Sequence, residues 1–141
     1  MNSQEPNYLH GFSSVEQARL MKQARLLEHT IFGNIDYTGV QRLLEVGSGV
    51  GAQTEILLRR FPELHVTCVD LNEAQLTAAS HNLAATPWCA DRYSVQQADA
   101  TNLPFAPRQF DAAFLCWILE HVPAPARALN EVRRVLAPGS P

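Results

Sequence analysis

Three of the chain's seven glycines fall within five residues, Gly47-Ser48-Gly49-Val50-Gly51, between an apolar run and a helix-forming run. Glycines there permit positive φ and let a ligand approach the backbone with no Cβ in the way. The helix that follows presents unpaired N–H groups and the positive end of its dipole to the same crevice. That arrangement suits a nucleotide-like ligand at the carboxyl ends of parallel strands. Gly47-x-Gly49-x-x-Ala52 also meets the relaxed dinucleotide pattern, so a nicotinamide cofactor stays open at this point. A P-loop is excluded, because no Gly-Lys-Ser/Thr follows and the single lysine is Lys22. Asp70 stands 19 residues beyond Gly51. A carboxylate there accepts hydrogen bonds from both ribose hydroxyls of either cofactor, or caps the next helix, a task open to Asn72 as well.

Two carboxylates separate the ligands. Glu45 sits inside an apolar strand two residues before Gly47. Burying its charge costs several kcal/mol, on the order of 3–5, unless something meets it. A pyrophosphate is poorly served by that charge, whereas a sulfonium amino acid with a free ammonium is well served. Asp99, after the third strand, is placed to accept the exocyclic amine of an adenine. His121 is the acid/base candidate near such a donor, since its ordinary pKa suits proton removal at neutral pH. It precedes Val122-Pro123 at a loop-to-helix junction, where a hydrogen bond to the backbone is the preferred reading. Cys68, Cys89 and Cys116 and the five histidines are scattered, so no metal site and no disulfide framework is expected.

These residues need a frame that brings positions 45–121 together. Ser13–Phe32 reads as one amphipathic helix, opened by a Ser13/Glu16 capping box, with Leu20, Ala24, Leu27 and Ile31 on one face and a stop at Gly33-Asn34. Strands are expected at Val40–Val46, Leu64–Asp70, Tyr93–Ala98 and Phe110–Trp117. Helices alternate with them at Ala52–Phe61, Asn72–Ala85 (Leu76, Ala79 and Leu83 inward) and Pro125–Leu136 (Leu129, Val132 and Leu136 inward). The alternation predicts an α/β fold, a doubly wound parallel sheet with helices on both faces. With 141 residues, 46% hydrophobic and 18% charged, the chain suits one folded domain. A net charge of −3 does not favour nucleic acid as a partner. The longest apolar run, Ala112–Leu119, is far short of the roughly 20 residues that span a membrane.

With its motifs in this order, the sequence resembles the class I S-adenosylmethionine-dependent methyltransferases, closest to their small-molecule branch, which includes the ubiquinone/menaquinone-biosynthesis type. LLEVGSGVGAQT resembles the family's glycine motif, VTCVDLNEAQL its ribose motif and QQADATNLPF its adenine motif. FDAAFLCWILEHVPAPARALNEVRRVLAPGS resembles the segment that follows, with Pro138-Gly139-Ser140 where the family closes on Pro-Gly-Gly. The resemblance implies a Rossmann-like methyltransferase fold with strands in the order 3-2-1-4, plus an N-terminal helix. It implies S-adenosyl-L-methionine as cofactor. Gly47, Gly49 and Gly51 would pass the methionine moiety, and Glu45 would support its amino group. Asp70 would hold the ribose, Leu71 would pack on the adenine, and Asp99 and the Ala100 N–H would take its edge. Cys116 and Trp117 would border the methyl donor and acceptor, and Tyr8 and Phe12 would cover the sulfonium, an arrangement favoured by cation–π attraction.

The expected function is methyl transfer to a small molecule by in-line displacement. An NAD(P)-binding oxidoreductase fragment and a non-catalytic donor-binding module are the alternatives. Residues 1–35 are read as an N-terminal segment and helix, and 36–141 as the donor-binding domain. The family's sheet runs 3-2-1-4-5-7-6, so the chain is expected to be a piece of that fold, ending before strand five. Strand four would then be an open apolar edge, prone to pair with a second copy. A reducing cytoplasm fits the cysteines.

Overall fold

The computed structural model describes residues 14–116, 118 and 121–139, apart from the side chains of Ser14 and Gln17. Tyr8, Phe12, Ser13, Trp117 and Ser140, named above, lie outside the described residues.

Four parallel strands, β1 (Arg42–Val46), β2 (His65–Asp70), β3 (Tyr93–Gln97) and β4 (Ala112–Leu115), lie in the order β3-β2-β1-β4. β1 is central, in register with β2 from Arg42↔His65 to Val46↔Val69 and with β4 from Leu43↔Ala112 to Val46↔Leu115. Strand alternation sorts the side chains into two cores. Leu43, Val66, Cys68, Ala112 and Phe114 face one way, and Leu44, Val46 and Val69 the other. The first face is covered by α1 (Ser14–Leu26), α2 (Glu28–Phe32), α3 (Ala52–Arg60) and α4 (Glu73–Ala84). The second is covered by Val132 and Val135 of α5 (Pro125–Val135). This is the Rossmann-like arrangement expected from the alternation.

Three local expectations are corrected. The first helix is broken at Leu27, because α2 must turn to bury Phe32, whose ring stacks on Phe114 at 5.2 Å. Glu28 fixes the turn through ion pairs to Arg59 (2.6 Å) and Arg60 (2.9 Å) of α3. In α5 the buried stripe is Ala128, Val132 and Val135, and Leu129 is 47% exposed. Bonds from Glu131 and Arg134 to Leu103 hold one flank of the helix to the domain, which turns Leu129 to the opposite flank. β4 stops at Leu115, short of Trp117, and its entry is not open. Phe110 pairs with Leu136 as a parallel bridge, its N–H bonding to Val135 O (2.9 Å) while the Ala137 N–H bonds to Phe110 O (2.8 Å). A right-handed β4–α5 crossover delivers the chain to that position. Leu76, Ala79 and Leu83 of α4 are buried as expected.

Arg42 and Asp111 latch β1 to the entry of β4. The Arg42 N–H and guanidinium donate to Asp111 Oδ2 (2.9 Å) and Oδ1 (2.8 Å). At the C-terminal end of α3, the Arg92 guanidinium donates to Leu58 O (3.1 Å), Phe61 O (2.8 Å) and Leu64 O (3.2 Å). It thereby caps the carbonyls that the helix leaves over. Arg92→Ala is expected to lower stability by about 2 kcal/mol in urea denaturation, with Arg92→Lys nearly as damaging because one ammonium cannot reach all three acceptors. Recovery of most of the stability by lysine would show that charge alone matters there.

Candidate functional site

The site grows from the end of β1. Gly47 and Ser48 donate their N–H groups to Val69 O (2.8 and 3.1 Å), stapling the loop across to β2. Gly47, Gly49 and Gly51 all take positive φ (78°, 56° and 86°). Their surroundings differ. A Cβ on Gly47 would lie 2.3 Å from Ile118 Cδ1, one on Gly51 would touch Ala79 of α4 at 3.4 Å, and one on Gly49 would meet nothing within 4 Å among the described residues. Gly51 is held to glycine by its left-handed φ, while Gly49, among the described residues, leaves its face free for a ligand.

Asp70 ends β2 with both oxygens in use: Oδ2 accepts the Gly49 N–H and Oδ1 the Asn72 N–H, each at 2.9 Å. Asn72 takes the cap of α4, its side chain accepting the Gln75 N–H at 3.0 Å. The cap reading of Asp70 is thus replaced by a brace that holds the glycine loop. Asn82 adds a second brace from α4, donating to Val50 O at 2.9 Å. Neither brace has a spacing signature, since the partners lie 21 and 32 residues apart. After β3, Asp99 Oδ1 accepts both the N–H (2.9 Å) and the hydroxyl (2.8 Å) of Thr101. Those two bonds hold its carboxyl below the usual aspartate range.

Gly47, Gly49, Asp70, Leu71, Asp99, Ala100, Cys116 and His121 line one cleft of about 820 Å³ at the carboxyl ends of the strands. The structure thus brings together eight of the residues singled out from the sequence. Tyr8 and Trp117 lie outside the described residues, and Glu45 and Gly51 are not among the residues that line the cleft. Leu71 stands 66% exposed at the rim, an apolar side chain available to a flat ring. Gln75, which the sequence reading passed over, also lines the cleft, and its buried Oε1 has no hydrogen-bond partner among the described residues. Such an orphan costs roughly 1–3 kcal/mol until a ligand serves it. The only signal was its place inside the ribose-motif segment.

Glu45 is 2% exposed and belongs to the face of Leu43, where Thr54 of α3 donates its hydroxyl to Oε1. That hydroxyl is the group that meets the buried carboxyl. Burial, reinforced by the nearby charge of Asp70 and opposed by the Thr54 bond, pushes the Glu45 pKa up to about 8. Burial and the Glu45 charge raise the Cys68 and Cys116 thiols too, so neither is a neutral-pH nucleophile. An unfolded chain releases the Glu45 proton near 4.5, and the folded chain keeps it to about 8. Between those values the unfolded state binds fewer protons, so stability falls as pH rises through the window and the loss is complete above it. Glu45→Gln is expected to flatten that decline in urea midpoints taken from about pH 5 to about pH 8.5. An unchanged slope would mean that Glu45 is ionised throughout.

A parallel sheet in the order 3-2-1-4 with a glycine-walled cleft at its carboxyl edge is a Rossmann-like nucleotide-binding arrangement, the one that class I S-adenosylmethionine-dependent methyltransferases share. The methyltransferase domain family matches residues 44–140, and the chain belongs to it. S-adenosyl-L-methionine is the cofactor that this family and its structural neighbours imply. Among curated relatives, a sterol 24-C-methyltransferase of Gibberella zeae is 32% identical over 112 residues, 79% of this chain and 29% of its own length. The ubiquinone/menaquinone biosynthesis C-methyltransferase of Roseobacter denitrificans is 36% identical over 99 residues, 70% of this chain and 39% of its own. A SAM-dependent methyltransferase from Aquifex aeolicus superposes with a TM-score of 0.76 at 19% identity, over 91% of this chain and 69% of that one. The chain spans well under half the length of those two curated relatives.

Proposed function

We propose that the cleft binds S-adenosyl-L-methionine and that the protein transfers its methyl group to a small-molecule acceptor, in the manner of the quinone- and sterol-directed relatives. The observation that carries this reading is the meeting of Gly49, Asp70, Leu71 and Asp99 in one cleft of cofactor size. Asp70 holds the ribose hydroxyls while keeping its grip on the loop, and Leu71 covers one face of the adenine. Asp99 and the Ala100 N–H take its edge, and Gly47 and Gly49 let the methionine moiety pass. A bound ammonium would draw the Glu45 proton off, lowering its raised pKa, and the resulting carboxylate would offset that charge. When bound, the sulfonium supplies an activated methyl; the protein's part is to orient donor and acceptor and to exclude water. Cys116 and His121 border the reacting end, and Trp117, Tyr8 and Phe12 are proposed to complete it. No residue is assigned as an acid or base, because an in-line displacement needs positioning first.

Residues 36–141 form the donor-binding domain in this reading, and residues 1–35 an N-terminal segment with its helix. No described helix is long and apolar enough to cross a membrane. The three cysteines are free, which suits the cytoplasm. β4 is the outer strand, with Leu136 and Ala137 pairing at Phe110, and its remaining edge is offered to a second copy. Light scattering that gives a monomer would remove that dimer.

Calorimetric titration with S-adenosylhomocysteine and with NAD tests the donor. Binding of the first alone is expected, and binding of NAD alone would overturn the reading. Labelled methyl transfer to a panel of sterol, quinone precursor and bulk tRNA tests the acceptor. Label on tRNA alone would sink the small-molecule assignment.

A further inference from the structure

The turn that carries Asp99 and Ala100 is short. The Asn102 N–H returns to Asp99 O at 2.9 Å, and Leu103 follows, 3% exposed. Beyond that turn the segment is gripped by α5. Glu131 Oε1 accepts the Leu103 N–H at 2.8 Å, and Arg134 donates to Leu103 O (3.0 Å) and Phe105 O (2.9 Å). The two side chains hold each other, Arg134 Nε to Glu131 Oε2 at 2.8 Å and Nη2 to Oε1 at 3.0 Å. Both polar groups of the Leu103 backbone are thus tied to one charged pair on a neighbouring helix. Neither Glu131 nor Arg134 lines the cleft. A clamp of this kind is more than surface decoration. Each of its bonds has a charged partner, and the planar guanidinium presents its donors in a fixed fork.

We propose that Glu131 and Arg134 are positioning residues that set the adenine selectivity of the donor site from outside it, by fixing the height of the Asp99–Leu103 turn against the cleft. The proposal rests on the reading that Asp99 takes the adenine amine. A carboxylate discriminates amine from carbonyl only when its distance to the base edge is fixed, since a loose turn retreats from the wrong edge at little cost. The clamp supplies that stiffness from α5, which Val132 and Val135 anchor in the core. Arg127, one turn earlier on α5, adds positive charge near both Asp99 and Glu131.

The test compares dissociation constants for S-adenosylhomocysteine and its inosine counterpart, in which a carbonyl replaces the exocyclic amine. The unmodified chain is expected to prefer the adenosyl ligand by about tenfold or more. Glu131→Ala and Arg134→Ala are expected to shrink that ratio to about twofold, mainly through weaker adenosyl binding, with Glu131→Gln in between because its carbonyl still accepts the Leu103 N–H. Faster hydrogen exchange at the Leu103 amide should accompany the loss. If the alanine variants do not fold, Glu131→Gln and Arg134→Lys carry the same comparison. Full selectivity in a folded clamp variant, or an equal loss of affinity for both ligands, overturns the proposal while leaving the Asp99 reading intact. Lack of selectivity in the unmodified chain overturns the Asp99 reading and the clamp with it.

Discussion

Asp70→Ala is expected to weaken S-adenosylhomocysteine binding by about a hundredfold, the largest loss of any single substitution in the cleft. Two effects combine. A carboxylate that accepts ribose hydroxyls contributes about 1.5–3 kcal/mol, as charged hydrogen bonds do. The same carboxylate holds the Gly49 N–H and the Asn72 N–H, so its removal also frees the loop that walls the ligand. Asp70→Asn keeps one carbonyl acceptor and is expected to cost only about tenfold. Asp70 also raises Glu45, so the asparagine variant should shift the Glu45 titration downward as well. Calorimetry at fixed pH reads the affinity, and urea denaturation separates it from stability. A dissociation constant within about twofold of the original would show that the ribose lies elsewhere.

The second large effect distinguishes two glycines of one loop. Gly47→Ala is expected to lower stability by about 2–4 kcal/mol, because it adds a left-handed strain to an overlap with Ile118. The overlap reaches past the tip of that side chain, with Cγ1 at 3.1 Å and Cβ at 3.2 Å, so a rotamer change alone does not relieve it. Adding Ile118→Ala to Gly47→Ala should recover the packing part and leave the backbone part. Gly49→Ala has no neighbour to strike and is expected to cost only about 1 kcal/mol of stability. Its methyl group nevertheless projects into the ligand's path, so donor affinity should fall by about tenfold or more. Equal stability losses for the two variants would sink this division of labour.

Much of this was legible in the chain because period and punctuation agreed. β1 and β2 carry β-branched and leucine residues at their centres, their helices follow at crossover spacing, and the glycines mark the one strand–helix turn that a ligand needs. What escaped depends on partners far away in sequence. The break at Leu27 follows from Phe32 meeting Phe114 and Glu28 meeting Arg59 and Arg60. The exposure of Leu129 follows from the side of α5 that Glu131 holds. Glu45 is different, because strand alternation already puts it with Leu43, on the face covered by α3. Its partner, Thr54, was hidden, since nothing in a sequence says which hydroxyl a buried carboxylate will find.

The central place of β1 has a consequence for the time course of folding. Its pairing with β2 joins residues 23 apart, Arg42 and His65, while its pairing with β4 joins Leu43 to Ala112, a separation of 69. Closing the longer loop costs about 1 kcal/mol more in chain entropy, so the β1–α3–β2 unit should form early and β4 should arrive late. The Arg42–Asp111 latch lies at the first point where β4 touches β1. A substitution at Asp111 should therefore act chiefly on the unfolding rate, while one in the β1–β2 pairing should slow folding itself.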